Sequence, residues 1–271
     1  MLLLLLGSLY GILHLPSVQT WIIKKATNSL SKQLHTKVTI DKVDFSFFYK
    51  LEFQNLLIED HQKDTLLFAG AAQINLNDWF FAKDKIILKY IGLENTVINL
   101  KRTNQEWNYQ FLSDYFGKSS GTKKSNQINL DLQTLYLKNI KFNYIDGWVG
   151  SDMITGLDEM TLDFNKADFN KLNFNINNIN LIQPRFIQKD YDGNRPLNYK
   201  KSGDNISKSD VDEGQAGIEI LIGKIKIKDG LYQNDKQTKR LPFHDQFDAL
   251  HFQFNSITGE INNFSLKNDN V

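Results

Sequence analysis

Five segments of this 271-residue chain repeat one eight-residue pattern at nearly constant spacing. They start at Leu51, Ile91, Leu135, Ile179 and Ile225, so successive starts lie 40, 44, 44 and 46 residues apart. The first and third positions are apolar: Leu51 and Phe53, Ile91 and Leu93, Leu135 and Leu137, Ile179 and Leu181, Ile225 and Ile227. The fifth is Asn55, Asn95, Asn139, Gln183 or Asp229, and the eighth is Ile58, Ile98, Phe142, Phe186 or Tyr232. Side chains alternate along a strand, so positions one and three share a face and position eight takes the other. All three share one face only if the chain slips phase between them. Position five is the place for the slip, because Asn and Asp tolerate left-handed backbone and bond nearby main chain. Pro184 after Gln183 and Gly230 after Asp229 also suit a break in regular pairing.

From Thr36 onward the apolar period is two. Val38 and Ile40, then Val43, Phe45 and Phe47, alternate with polar residues, as do Gln73–Leu76, Met160–Phe164 and Leu250–Phe254. A unit of about 45 residues with two to four strands and almost no helix predicts an elongated, curled antiparallel β-repeat over 36–271, a groove or "taco"-like solenoid. An ordinary β-sandwich whose matching strands recur by chance is the alternative. Two polar, Ser-rich stretches, 113–127 and 189–217, read as exposed insertions between repeats.

The N-terminus is different. Residues 2–15 are uncharged and mostly apolar, with Leu2, Leu3, Leu4, Leu5, Leu6, Leu9, Ile12, Leu13 and Leu15 as anchor candidates. The run is shorter than the ~20 residues a spanning helix needs. It reads as a transmembrane anchor over 1–16 with its cytoplasmic end outside this sequence, as a cleaved signal peptide, or as a buried helix. Pro16 ends or kinks it. Over 17–35, Val18, Ile22, Ala26, Leu30 and Leu34 recur every four residues with Lys24, Lys25, Asn28 and Lys32 largely opposite. That is an amphipathic helix, with Ser17 as candidate N-cap. It either covers the open end of a sheet or lies at a membrane surface with Trp21 in the interface.

Little in the chain points to chemistry. There is no cysteine, which excludes thiol catalysis, thiolate zinc sites and disulfides. A net charge of +1 with interleaved signs gives no nucleic-acid footprint. Asp190 to Asn194 loosely resembles a calcium loop, but Lys201 stands where its glutamate belongs. Gly117-Lys118-Ser119 looks like the end of a phosphate loop, but Leu112 replaces the first glycine. His14, His35, His61, His244 and His251 show no ligand spacing, and His251 reads as a packed or solvated strand residue. Glu59, Asp60 and Asp64 beside Lys63 read as a solvated turn. The expectation is a non-enzyme without cofactor, metal or catalytic residues.

Several stretches resemble a known family. Leu15 to Thr20, Leu34 to Val38, Val43 to Phe45, and Leu57 to Asp60 followed by Asp64 to Leu67 look like the start of the TamB-type (translocation and assembly module) proteins of Bacteroidetes, within the AsmA-like group. Trp107 to Leu112 and Leu137 to Asp146 look like that family's repeats. The resemblance runs from about residue 10 to the end, and its short strand motifs are moderately specific. It implies an N-terminal fragment of a single-pass inner-membrane protein with its bulk in the periplasm. It also implies a bridge-like β-groove for phospholipid acyl chains, serving lipid transport and outer-membrane assembly. The alternative is a chaperone-like module for β-barrel assembly or protein secretion. A BamA/TamA-like outer-membrane barrel is the partner the resemblance implies for the far end. Phe53, Leu93, Leu137, Leu181 and Ile227 are the candidate groove residues. These same side chains would equally serve to pack a closed interior.

Overall fold

A computed structural model describes residues 11, 15–46, 50–76, 88–117, 132–168, 173–196, 219–237, 241, 243 and 245–267. The chain is mainly β. Helix α1 (Pro16–Leu34) precedes β1 (Val38–Thr39), β2 (Lys42–Ser46), β3 (Lys50–Glu59), β4 (Thr65–Leu76) and β5 (Leu88–Arg102). Helix α2 (Gln110–Gly117) then leads to β6 (Thr134–Asp146), β7 (Ser151–Asp168), β8 (Asn173–Ile182), β9 (Arg185–Asp190), β10 (Glu219–Lys236) and β11 (His251–Lys267). Phe47 lies outside the described residues.

All eleven described strands join one sheet. The five repeat segments lie in β3, β5, β6, β8–β9 and β10, and they all run in the same direction. Between the first two comes β4, antiparallel to both. Strands β5 and β6 then pair in parallel, which corrects the expectation of an antiparallel repeat: the sheet is mixed, because successive repeat segments run in one direction and some of them are direct neighbours. The order repeats: β7 is antiparallel to β6, β8 and β9, and β10 is parallel to β8 and β9. Parallel neighbours need long crossovers, whereas antiparallel ones need only short turns. The crossovers are residues 103–133 and 191–218. They contain most of the two polar stretches that the sequence marks as insertions, so those stretches are connections demanded by strand direction. The first is not wholly irregular, since α2 takes up Ser113 to Gly117.

The phase slip is visible in the backbone. Asn55, Asn95, Asn139, Gln183 and Asp229 all have positive φ, between 49° and 56°. One left-handed residue turns the following side chains over without ending the strand. At Gln183-Pro184 the ladder does break, separating β8 from β9. Opposite two of these residues runs Gly70, where a Cβ would stand 3.0 Å from Asn95 Cβ. Glycine is therefore the residue that lets the two left-handed positions flank β4 closely.

Helix α1 covers the β1–β2 end of the sheet. Ile23, Thr27 and Leu34 are buried on its inner side, against the end where Val38 and Val43 are also buried. Burying two aliphatic side chains of this size contributes about 3–6 kcal/mol. Ser31 fastens the contact: its Oγ accepts from Val38 N at 2.9 Å and donates to Val38 O at 3.1 Å. Pro16 occupies the first turn, where its missing N–H costs nothing. The N-cap is Leu15 in extended backbone and no side chain caps the helix, so Ser17 is not the cap its position suggests. His35 ends the helix in left-handed conformation, φ 53°.

Candidate functional site

Strand register aligns the repeat positions into rows across the sheet. The third positions form Phe53–Ala72–Leu93–Leu137–Met160–Leu181–Ile227. Two residues away runs Leu51–Ile74–Ile91–Leu135–Leu162–Ile179–Ile225. Beyond the left-handed residues lies a third row, Ile58–Leu67–Ile98–Phe142–Thr155–Phe186–Tyr232. All five sequence-predicted groove residues thus stand in one row, and each is half-buried.

Third- and eighth-position residues meet around one apolar hollow of about 340 Å³. Leu181 and Ile227 line it together with Phe186 and Tyr232, Ile140 and Leu157, and Ile257 of β11. Positions three and eight therefore do share a face, which a regular strand forbids. Phe186 and Tyr232 stack with ring centroids 5.5 Å apart, and Phe252 continues the aromatic line 5.6 Å from Tyr232. Phe53, Leu93 and Leu137 lie in the same row but do not line this hollow. The eighth-position aromatics were present in the repeat pattern without being singled out. Ile257 and Pro184, which also line it, carry no periodic signal.

The hollow is shaped by the slip. Gly230 lies in its wall, buried between Ile227, Pro184 and Ile257. A Cβ at Gly230 would meet Ile227 Cγ2 at 3.2 Å and Pro184 Cγ at 3.3 Å. Across the crease the polar side chains pair with one another: Gln183 Nε2 donates to Asp229 Oδ2 at 3.0 Å, and Asn139 Nδ2 to Asn95 Oδ1 at 2.7 Å. These amides are exposed.

A second hollow, about 440 Å³ and polar, lies where Asp60 and His61 meet the β5–α2 connection. Its buried charged groups, Asp60 and the nearby Asp146, are engaged in the fold. Asp60 is only 1% exposed, which corrects the expectation of a solvated turn. Its carboxylate accepts from the backbone amides of Gln62 and Asp64 and from Asn108 Nδ2. Arg102 makes a two-bonded pair with buried Asp146, 2.8 and 2.7 Å, and its guanidinium lies 4.7 Å from the Trp107 ring centroid. Burial alone would raise the Asp146 carboxyl. The hydrogen bonds from Arg102 and from the amides of Val149 and Trp148 outweigh it and hold the group below its ordinary value. Nearby, burial and a hydrogen bond to Asp152 push the Tyr191 hydroxyl up to about 12. His61 stacks on Phe111, and His251 is bonded to Asp235 at 2.8 Å through Nδ1. Among the described residues, no group of three or more metal-ligating side chains is placed to hold an ion.

Leu2, Leu3, Leu4, Leu5, Leu6, Leu9, Ile12 and Leu13 lie outside the described residues, and Leu15 is 49% exposed. Among the described residues no helix is long and apolar enough to cross a membrane. Lys118 and Ser119 also lie outside the described residues. No protein-family model matches the chain, and no curated protein matches it.

Proposed function

We propose that this chain is the membrane-proximal part of a β-trough that shields phospholipid acyl chains on their way to the outer membrane of a bacterial envelope. In this reading residues 1–16 anchor it in the inner membrane and the β-region lies in the periplasm. The observation that carries the proposal is the meeting of rows three and eight at one apolar hollow, with Leu181, Ile227 and Phe186 half-buried and Tyr232 exposed. A finished interior would bury such side chains. Here they keep contact with open space in the β6–β11 part of the sheet, and the rows would extend that surface from strand to strand. Acyl chains laid along the rows would exclude water from both partners, at about 25 cal/mol per Å² of apolar area buried. Two tails would gain several kcal/mol, with the headgroup left in water at the open side. The resemblance to TamB-type proteins supports the same reading.

The test is mass spectrometry of lipids carried by the purified protein, together with uptake of a labelled phospholipid. Bound phospholipid that Ile227→Asp or Tyr232→Asp displaces supports the trough. A lipid-free protein that takes up no label would sink it.

One observation favours a second reading. Among the described strands β11 pairs only with β10, and Phe254, Ile261, Phe264 and Leu266 on it are exposed. Among the described residues the outer edge of β11, 17 residues long, has no partner strand, and such an edge can take a further strand by backbone pairing. A chaperone-like role toward β-barrel precursors would use that edge. Capture of an extended barrel-strand peptide, undiminished by Ile227→Asp, would favour it over the trough.

A further inference from the structure

Helix α1 has a second face. Its inner stripe, Ile23, Thr27 and Leu34, is committed to the sheet. Trp21, Lys25, Asn28 and Lys32 follow at spacings of four, three and four, which aligns them along the opposite side. All four are exposed, as is Lys24 beside them. Trp21 is 61% exposed, and Lys25 Nζ lies 5.0 Å from its ring centroid.

The charge on this face is one-sided. The helix contains no Asp or Glu, and the first acidic residue of the whole chain is Asp41. Yet 31 acidic residues follow, nearly balancing 32 basic ones over the full length. Among the described residues, no carboxylate pairs with Lys24, Lys25 or Lys32. Several lysines elsewhere are answered: Lys37 by Glu59, Lys101 by Asp64, Lys224 and Lys226 by Glu260.

We propose that the outer face of α1 docks on the anionic headgroups of a bilayer, with Trp21 at headgroup depth. Indole suits that depth because its ring is apolar while its N–H seeks a polar partner. Lysines near an anionic surface each strengthen binding about fivefold, so three together account for roughly a hundredfold. The two roles of an amphipathic helix, capping and surface binding, are then divided between its two faces. Because the inner face sits on β1 and β2, docking brings that end of the sheet to the membrane. The apolar rows then lead away from the surface strand by strand. The inference stands on α1 alone and holds whether or not the rows carry lipid.

The experiment uses the full chain with vesicles of phosphatidylcholine, with and without phosphatidylglycerol. Tryptophan emission is quenched by nitroxide lipids labelled at headgroup or mid-chain depth. The difference between the wild type and Trp21→Phe isolates Trp21 from the other three tryptophans. The expected result is headgroup-depth quenching of Trp21 that is stronger with phosphatidylglycerol than in the neutral vesicles, where residues 1–16 alone would hold the chain, and whose added part weakens with salt. In the combined Lys24→Glu, Lys25→Glu, Lys32→Glu variant, at least tenfold more anionic lipid is needed, while the thermal midpoint is unchanged. Trp21 that stays unquenched in anionic vesicles overturns the proposal. Quenching that is equal in neutral vesicles and in the triple variant does the same, since it would leave the lysines without a role.

Discussion

Asn139 donates its side-chain amide to Asn95 Oδ1 at 2.7 Å, and both residues hold left-handed backbone with the same φ of 51°. They sit on parallel neighbours, one repeat apart, between the paired positions Glu94–Lys138 and Thr96–Ile140. The side chain thus ties together two slips that must stay in step. If they drifted, every residue beyond position five on one strand would lose register with the next. Asn139→Val cannot hold this backbone without strain and loses the bond, so it is expected to cost about 2 kcal/mol. Asn139→Gly should cost distinctly less, since it removes the bond but relieves the strain. Urea unfolding of the three proteins checks the order.

Gln183 is the exception among the five. Asn and Asp are enriched at positive φ, but a longer glutamine has no such local help. At φ 49° it pays the left-handed cost and recovers one exposed bond to Asp229. Gln183→Asn should therefore stabilise the protein by about 0.5–1 kcal/mol. A fall in the urea midpoint would show that the bond to Asp229 outweighs the backbone strain.

How far the sequence carries can be judged at these same positions. Asn55, Asn95, Asn139 and Asp229 announce the slip because their chemistry is suited to it, and five near-equal spacings announce the row. Strand direction is another matter. The spacing from Leu51 to Ile91 is made by one intervening antiparallel strand, that from Ile91 to Leu135 by a crossover containing α2. Both are of similar length, so the spacing alone does not distinguish them; the polar stretch 113–127, present only in the second, is the local mark of the crossover. Asp60 looks solvated in the sequence for a related reason: one of its hydrogen-bond partners, Asn108, lies 48 residues away. The apolar hollow was half legible. Leu181 and Ile227 follow from the period, but Ile257 reaches it only through the pairing of β11 with β10.

The apolar rows make a prediction about lipid uptake. Ile227 is half-buried, so a polar replacement has water within reach and the fold should survive. Ile227→Asp would nevertheless place a carboxylate against any acyl chain lying over Leu181 and Tyr232. Labelled-phospholipid binding is expected to fall at least tenfold, about 1.4 kcal/mol, with little change in the thermal midpoint. Lys226→Ala, one residue away, points to the other face and should leave uptake as it was. Equal uptake by Ile227→Asp and the wild type would mean that lipid, if bound, is held elsewhere.

The outer edge of β11, unpaired among the described residues, predicts self-association of the 271-residue chain. Its charged residues Glu260 and Lys267 are occupied by Lys224, Lys226 and Glu219 on β10, so they guard the open side poorly. Exposed apolar edges of this length promote pairing between copies. Ile261→Lys with Phe264→Lys should reduce concentration-dependent association in sedimentation velocity without lowering the urea midpoint. Association that persists unchanged would place the contact elsewhere on the molecule.

The Arg102–Asp146 pair sets an acid limit. Asp146 is 4% exposed, and its carboxyl titrates below its ordinary value because Arg102 and two backbone amides prefer it charged. A carboxyl lowered on folding adds stability at pH above its unfolded value, near 3.9. That stability is lost as pH falls through the lower, folded value. Arg102→Met should remove this support and leave a buried charge unpaired, costing about 3 kcal/mol at neutral pH. The loss should shrink below about pH 4, where the carboxyl is neutral in the unfolded chain and, without Arg102, in the folded one too. Replacing both partners, Arg102→Met with Asp146→Leu, should recover much of the neutral-pH loss and flatten this part of the acid limb. A double variant no more stable than Arg102→Met would show that Trp107 over the guanidinium, and not the ion pair, is what that side chain chiefly supports.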